Sequence, residues 1–174
     1  IKKQIDFYLI KRLGLVVLLT AITASAGWIM VQSGLINRPW VNAYKLTLHF
    51  MLAMLVLMAM VKTVADVYEF RSPKSIRLKY IVPIVLTVTF IQLIFAGLMA
   101  GMRAGLYYPS WPDMNGEYVP EVLLNSANWT WGNLVNYDSY LFAPALIQFV
   151  HRVLAYVLVV ITVYMFYVLR SKIT

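Results

Sequence analysis

This chain has no cysteine, two histidines and seven acidic residues among its 174 positions. Without cysteine it has no disulfide, no thiolate metal site and no cysteine nucleophile. Charged residues make up 13% of the chain against 61% hydrophobic, and the mean hydropathy is +0.73. That balance excludes an ordinary soluble domain and points to a membrane protein. The sequence also lacks a GxSxG elbow, a Walker loop and any carboxylate cluster at metal-ligand spacing. Asp113, Glu117, Glu121 and Asp138 all fall in one loop, as ordinary solvated charge. The chain begins at Ile1 with no signal-peptide pattern, so a piece of a longer protein is expected.

What the chain does have is long apolar runs. About 20 residues of helix cross the roughly 30 Å of a bilayer's hydrocarbon. Four runs qualify, at 13–31, 44–61, 80–102 and 144–169, with Lys62 snorkelling from the end of the second. They are continuously apolar instead of alternating, which argues against a β-barrel. The expected fold is an all-α integral membrane bundle of four transmembrane helices in a single transmembrane region, 1–174. A long loop, 103–143, joins the third and fourth. Its Tyr107, Tyr108, Trp111, Trp129 and Trp131 suit either a lid lying on the surface or an interfacial aromatic belt.

The excess of positive charge is distributed by side. Lys2, Lys3, Lys11, Arg12, Lys62, Arg71, Lys74, Arg77, Lys79, Arg170 and Lys172 fall at one end of the spans. Arg38, Lys45, Arg103 and Arg152 fall at the other. The positive-inside rule therefore puts both termini and the central connection in the cytoplasm. The charge belongs to topology and lipid headgroups, and no nucleic-acid partner is expected.

The two halves resemble one another. The first span carries Ala26-Gly27 and then Gly34-Leu35; the third carries Ala96-Gly97 and then Gly105-Leu106. Each half re-enters the membrane with a His-x-x-Leu-Ala frame, at His49 and at His151. This is the pattern of a parallel two-helix repeat, although small and apolar residues also converge by chance. Both histidines then lie near the outer face.

An ionisable side chain inside a membrane is a functional hypothesis by default. A neutral imidazole facing a bundle interior is a favoured axial ligand for heme iron, and hydrogen bonding between helices is the competing reading. Ala53 and Ala155 stand one turn after each histidine and leave room for a flat macrocycle. Gly27, Gly97 and Gly101 leave further space for a ring or for close helix approach. Lys45, one turn before His49, and Arg152, next to His151, are candidate partners for anionic propionates, or else interfacial anchors. Gln148, three residues before His151, is placed to orient the imidazole or a water, or to bridge helices. The two histidines either share one heme or belong to two.

Four stretches then carry a family resemblance: GWIMVQSGL at 27–35, YKLTLHFMLA at 44–53, FAGLMAGMRAGLYYPSWPDMNGEYVP at 95–120 and IQFVHRVLAY at 147–156. Together they resemble the heme A synthase family of cytochrome oxidase assembly. The resemblance implies eight helices in two similar four-helix bundles, with this chain matching the third to sixth. Each bundle holds a heme between histidines of its second and fourth helices. His49 and His151 would be the ligands of two different hemes, the substrate heme O and a heme b, with partner histidines on flanking helices. The reaction implied is oxidation of a pyrrole methyl of heme O to the formyl of heme A, a fragment of this extent being inactive alone. Heme O synthase and oxidase assembly factors would be partners, in a bacterial or mitochondrial inner membrane. Lys45 stands where many members carry arginine, Arg103 where many carry an acid and Gln148 where the first half carries glutamate, so no catalytic acid or base is named. The competing functions are a small b-type cytochrome with one bis-histidine heme, and a heme-free membrane scaffold or transporter fragment.

Overall fold

A computed structural model describes residues 7–34, 40–68 and 76–170. The expectations resting on Lys2, Lys3, Leu35, Arg38, Arg71, Lys74 and Lys172 lie outside them. Among the described residues seven α-helices follow in order: α1 Phe7–Gly34, α2 Ala43–Val67, α3 Ile76–Met102, α4 Ala104–Tyr107, α5 Glu121–Leu124, α6 Trp131–Val135 and α7 Phe142–Arg170. One 3-10 turn, Ser126–Asn128, separates α5 from α6, and no strand occurs among the described residues. Among the described residues four helices, α1, α2, α3 and α7, are long and apolar enough to cross a membrane. The fold is therefore a helical membrane bundle.

These helices, of 28, 25, 27 and 29 residues, run past the apolar spans read from sequence. Hydropathy marks where a helix enters lipid, but polar flanking turns have no reason to unwind there. The added first turns of α1 show how they are held. Arg12 donates to the Tyr8 hydroxyl and pairs with Asp66 of α2 at 2.6 Å, while Lys11 lies 4.6 Å from the centroid of the Phe7 ring. Asn42 caps α2, its side-chain oxygen accepting from the Tyr44 and Lys45 amides at 3.0 and 3.3 Å. Within the spans, Thr20, Thr23, Ser25, Thr47 and Thr63 each donate to the carbonyl one turn back, which satisfies a hydroxyl where no water is at hand.

The chain divides into two compact units, 1–72 and 73–174. The first is the α1–α2 hairpin. Its helices run antiparallel, since Arg12 meets Asp66 at one end and Thr23 meets His49 further along. The second unit is built on α3 and α7. They are also antiparallel, with Ile81 packed on Val168 at one end and Gln92 meeting His151 further along.

The long connection of the second unit is folded. Tyr108, Met114 and Leu123 form a buried cluster with Phe142 and Ala145 at the start of α7. Trp129 meets Phe142 edge-on at 5.1 Å and donates its indole N–H to the Leu123 carbonyl. The Met-Asn-Gly run is a tight turn: Asn115 and Gly116 have φ of 62° and 94°, and Met114 and Glu117 bridge on either side with an amide-to-carbonyl distance of 2.7 Å. Two consecutive positive φ values define the type I′ hairpin, which asparagine and glycine tolerate best.

Candidate functional site

In the first unit the half-buried His49 sits against α1 in a seat made by a glycine. A Cβ built on Gly27 would lie 2.9 Å from His49 Cε1 and 3.2 Å from Nδ1, so only glycine admits the ring. His49 Nδ1 is 3.0 Å from the carbonyl oxygen of Thr23. A carbonyl only accepts, so Nδ1 carries a proton, and in the neutral ring Nε2 is the nitrogen with the lone pair. That tautomer, with Nδ1–H on a backbone carbonyl, is the arrangement metal-bound histidines adopt. His49 therefore fits the donor role that a heme requires. Ala53 is half-buried one turn on, and Lys45 is exposed one turn before.

In the second unit His151 meets a side chain the sequence reading passed over. Gln92 of α3 directs its amide nitrogen at His151 Nε2, 3.2 Å away, and at the His151 carbonyl, 3.1 Å away. The signal was present, a lone carboxamide inside an apolar run, but attention to ionisable groups missed it. Ala155 is half-buried one turn after the histidine.

Gln148 and Arg152 serve the connection between α3 and α7. Gln148 is buried and donates to the Tyr108 carbonyl at 2.8 Å. Arg152 donates to the carbonyls of Tyr108, Ser110 and Asp113 at 3.0, 2.7 and 2.5 Å. The planar guanidinium offers a fork of donors, and here it gathers three carbonyls of the loop backbone onto the helix that carries His151. Ser110 tightens the same segment by donating to the Asp113 carboxylate and accepting from the Asn115 amide at 2.6 Å.

The electrostatics follow this geometry. The Asp113 carboxyl is held below the usual carboxylate range by the Ser110 hydroxyl, then by the Gly116 amide, with Arg152 adding to the effect. Burial raises the Tyr108 hydroxyl, and the nearby Glu117 charge raises it further. Beside Arg152 a cleft of about 230 Å³ opens between Pro112, Met114, Phe149 and Tyr156. Arg103, at the start of the connection, is exposed and in the left-handed region at φ 53°.

The sequence-derived candidates thus separate by unit: His49, Ala53 and Lys45 with Gly27 and Thr23 in the first; His151, Gln148, Arg152 and Ala155 with Gln92 in the second. Among the described residues no group of three or more histidine or acidic side chains is placed to hold a metal.

Comparison with known proteins agrees with the motifs. The family profile described as cytochrome oxidase assembly protein, COX15-CtaA, matches residues 1–173. The chain is 36% identical over 169 residues to a protein named heme A synthase from Wolbachia pipientis wMel, covering 94% of this chain and 46% of that one. It is 36% identical over 166 residues to the heme A synthase of Bradyrhizobium diazoefficiens, covering 93% and 44%. With the heme A synthase of Flavobacterium johnsoniae the identity is 32% over 174 residues, covering 98% and 49%. The chain spans about half the length of the curated relatives it matches. No solved structure matches it.

Proposed function

The chain belongs to the cytochrome oxidase assembly protein family, and from that membership we propose that it forms the central part of an oxidoreductase converting heme O to heme A. The net change is that the substrate's pyrrole methyl gives up hydrogen and gains an oxygen atom to become a formyl group, an oxidation whose electrons would leave through a second heme. His49 is the iron ligand on the substrate side, and His151 is the ligand of a separate heme b that carries electrons. The observation that carries this reading is the His49 seat: a glycine notch, a fixed Nδ1–H tautomer and an open Nε2.

The bound hemes supply the redox chemistry, and this chain's residues supply position. Thr23 fixes the His49 ring through its carbonyl, and Ala53 and Ala155 leave the slot beside each ligand. Lys45 meets a propionate at the membrane surface, where its exposed ammonium sits one turn from His49. Arg152 holds the connection over α7, its donors being directed to loop carbonyls. Both termini face the cytoplasm of a bacterium or the matrix of a mitochondrion, and both histidines lie toward the outer face of that inner membrane. Flanking helices supply the second axial histidines, and a heme O synthase supplies the substrate.

The test is pigment chemistry. Cells that make heme O and express the longer protein containing this chain are expected to yield heme A on acid extraction and chromatography. Extracts holding only heme B and heme O would contradict the proposal.

A further inference from the structure

Gln92 lies in the middle of α3 and spends its amide on the ligand candidate of α7. Its nitrogen donates both to His151 Nε2 and to the His151 carbonyl. An amide nitrogen has no lone pair to offer, so His151 Nε2 is the acceptor and the ring proton sits on Nδ1. Two buried atoms of the pair, Gln92 Oε1 and His151 Nδ1, then have no hydrogen-bond partner. Unpaired polar atoms are costly in apolar surroundings, and one on each side chain lowers the cost of parting the pair. At His49 the same ring nitrogens are used differently: Nδ1 is held by a backbone carbonyl and Nε2 is left open.

We infer that Gln92 is a placeholder for iron at His151, covering the Nε2 lone pair until heme arrives and giving it up when iron takes that atom. The inference rests on the reading of His151 as a heme ligand. Imidazole binds iron through a deprotonated nitrogen, and the Gln92 bond keeps Nε2 in that form while blocking it. Gln92 therefore acts through His151 as a positioning residue, and it touches no substrate. The two sites differ in readiness as a result. The His49 site offers its nitrogen at once, whereas the His151 site is first uncovered by moving a side chain of α3.

The experiment uses the longer protein containing this chain, purified without heme, in a His49→Ala background so that the His151 site is read without the His49 site. Ferric heme b is mixed in, and the Soret band is followed by stopped flow. Gln92→Leu is expected to speed uptake about tenfold, the scale of one lost hydrogen bond. Gln92→Asn keeps the amide one methylene short of its acceptors and is expected to do the same. In nitrogen NMR of labelled histidine, the His151 signal, assigned by its loss in His151→Ala, shows mainly the Nδ1–H tautomer in the heme-free H49A protein, and Q92L shifts it toward a mixture. A side chain that merely joined α3 to α7 would loosen the unit and bind heme no faster. Unchanged or slower uptake in both variants overturns the placeholder and leaves the heme reading standing. Uptake that persists undiminished when His151→Ala is added overturns the heme-ligand reading itself, and the inference with it.

Discussion

Replacing Gly27 with alanine is expected to weaken heme binding at His49 about 30-fold to 100-fold. The new Cβ would stand 2.9 Å from Cε1, well inside contact distance, and the neighbour it meets is a rigid ring held through its Nδ1. The imidazole has to tilt away from α1, and the 3.0 Å bond to the Thr23 carbonyl breaks. Overpacking of this kind costs about 1–3 kcal/mol, and the hydrogen bond adds about 1 kcal/mol. Loss of the group that orients a metal-bound histidine independently suggests about 10-fold to 100-fold. Heme titration in a His151→Ala background reads the effect at one site. Gly14→Ala is the control, because a Cβ there meets nothing within 4 Å. A Gly27→Ala chain that titrates like its parent would show that the notch is incidental.

The second large effect is expected at Arg152. Arg152→Met keeps most of the aliphatic stem and removes the donors that hold the Tyr108, Ser110 and Asp113 carbonyls. Hydrogen bonds from a charged donor are worth about 1.5–3 kcal/mol each, and carbonyls released to water recover part of it. A net loss of about 3–5 kcal/mol remains. Amide exchange between Leu106 and Pro120 is expected to accelerate by two to three orders of magnitude, roughly, at about 1.4 kcal/mol per decade. Arg152→Lys, which keeps the charge but not the fork, recovers only part of the protection. Gln148→Leu removes a single bond to Tyr108 and has a smaller effect. Exchange that is equally slow in the Met variant would show that the apolar cluster around Met114 and Phe142 holds the connection unaided.

The four spans were legible because lipid imposes a length and an apolar character that composition cannot hide. Their ends were not, since α1 reaches back to Phe7 and α2 on to Val67 through turns joined by the Arg12–Asp66 pair, a contact across helices. The short helices α4 to α6 span four or five residues, too few for any periodicity to register. The histidines stood out as the rare ionisable groups in apolar runs. Their settings did not, because one partner is a backbone carbonyl, at Thr23, and the other a neutral amide, at Gln92. Room at Gly27 was expected for a ring, and the ring that the structure puts there is the imidazole. Arg152 read as a candidate propionate partner because charge was its visible property; its fork of donors, visible only once the loop folds back, goes to carbonyls.

The central claim is that His49 and His151 serve two separate hemes. It is tested by counting hemes per polypeptide, with low-temperature EPR of the ferric state, in His49→Ala and His151→Ala forms of the longer protein containing this chain. Each substitution is expected to remove one heme and its low-spin signal while leaving the other heme in place, and the double substitution to disturb both. Loss of all heme on either single change would assign both histidines to one shared heme, and full retention in both would remove them from heme ligation altogether.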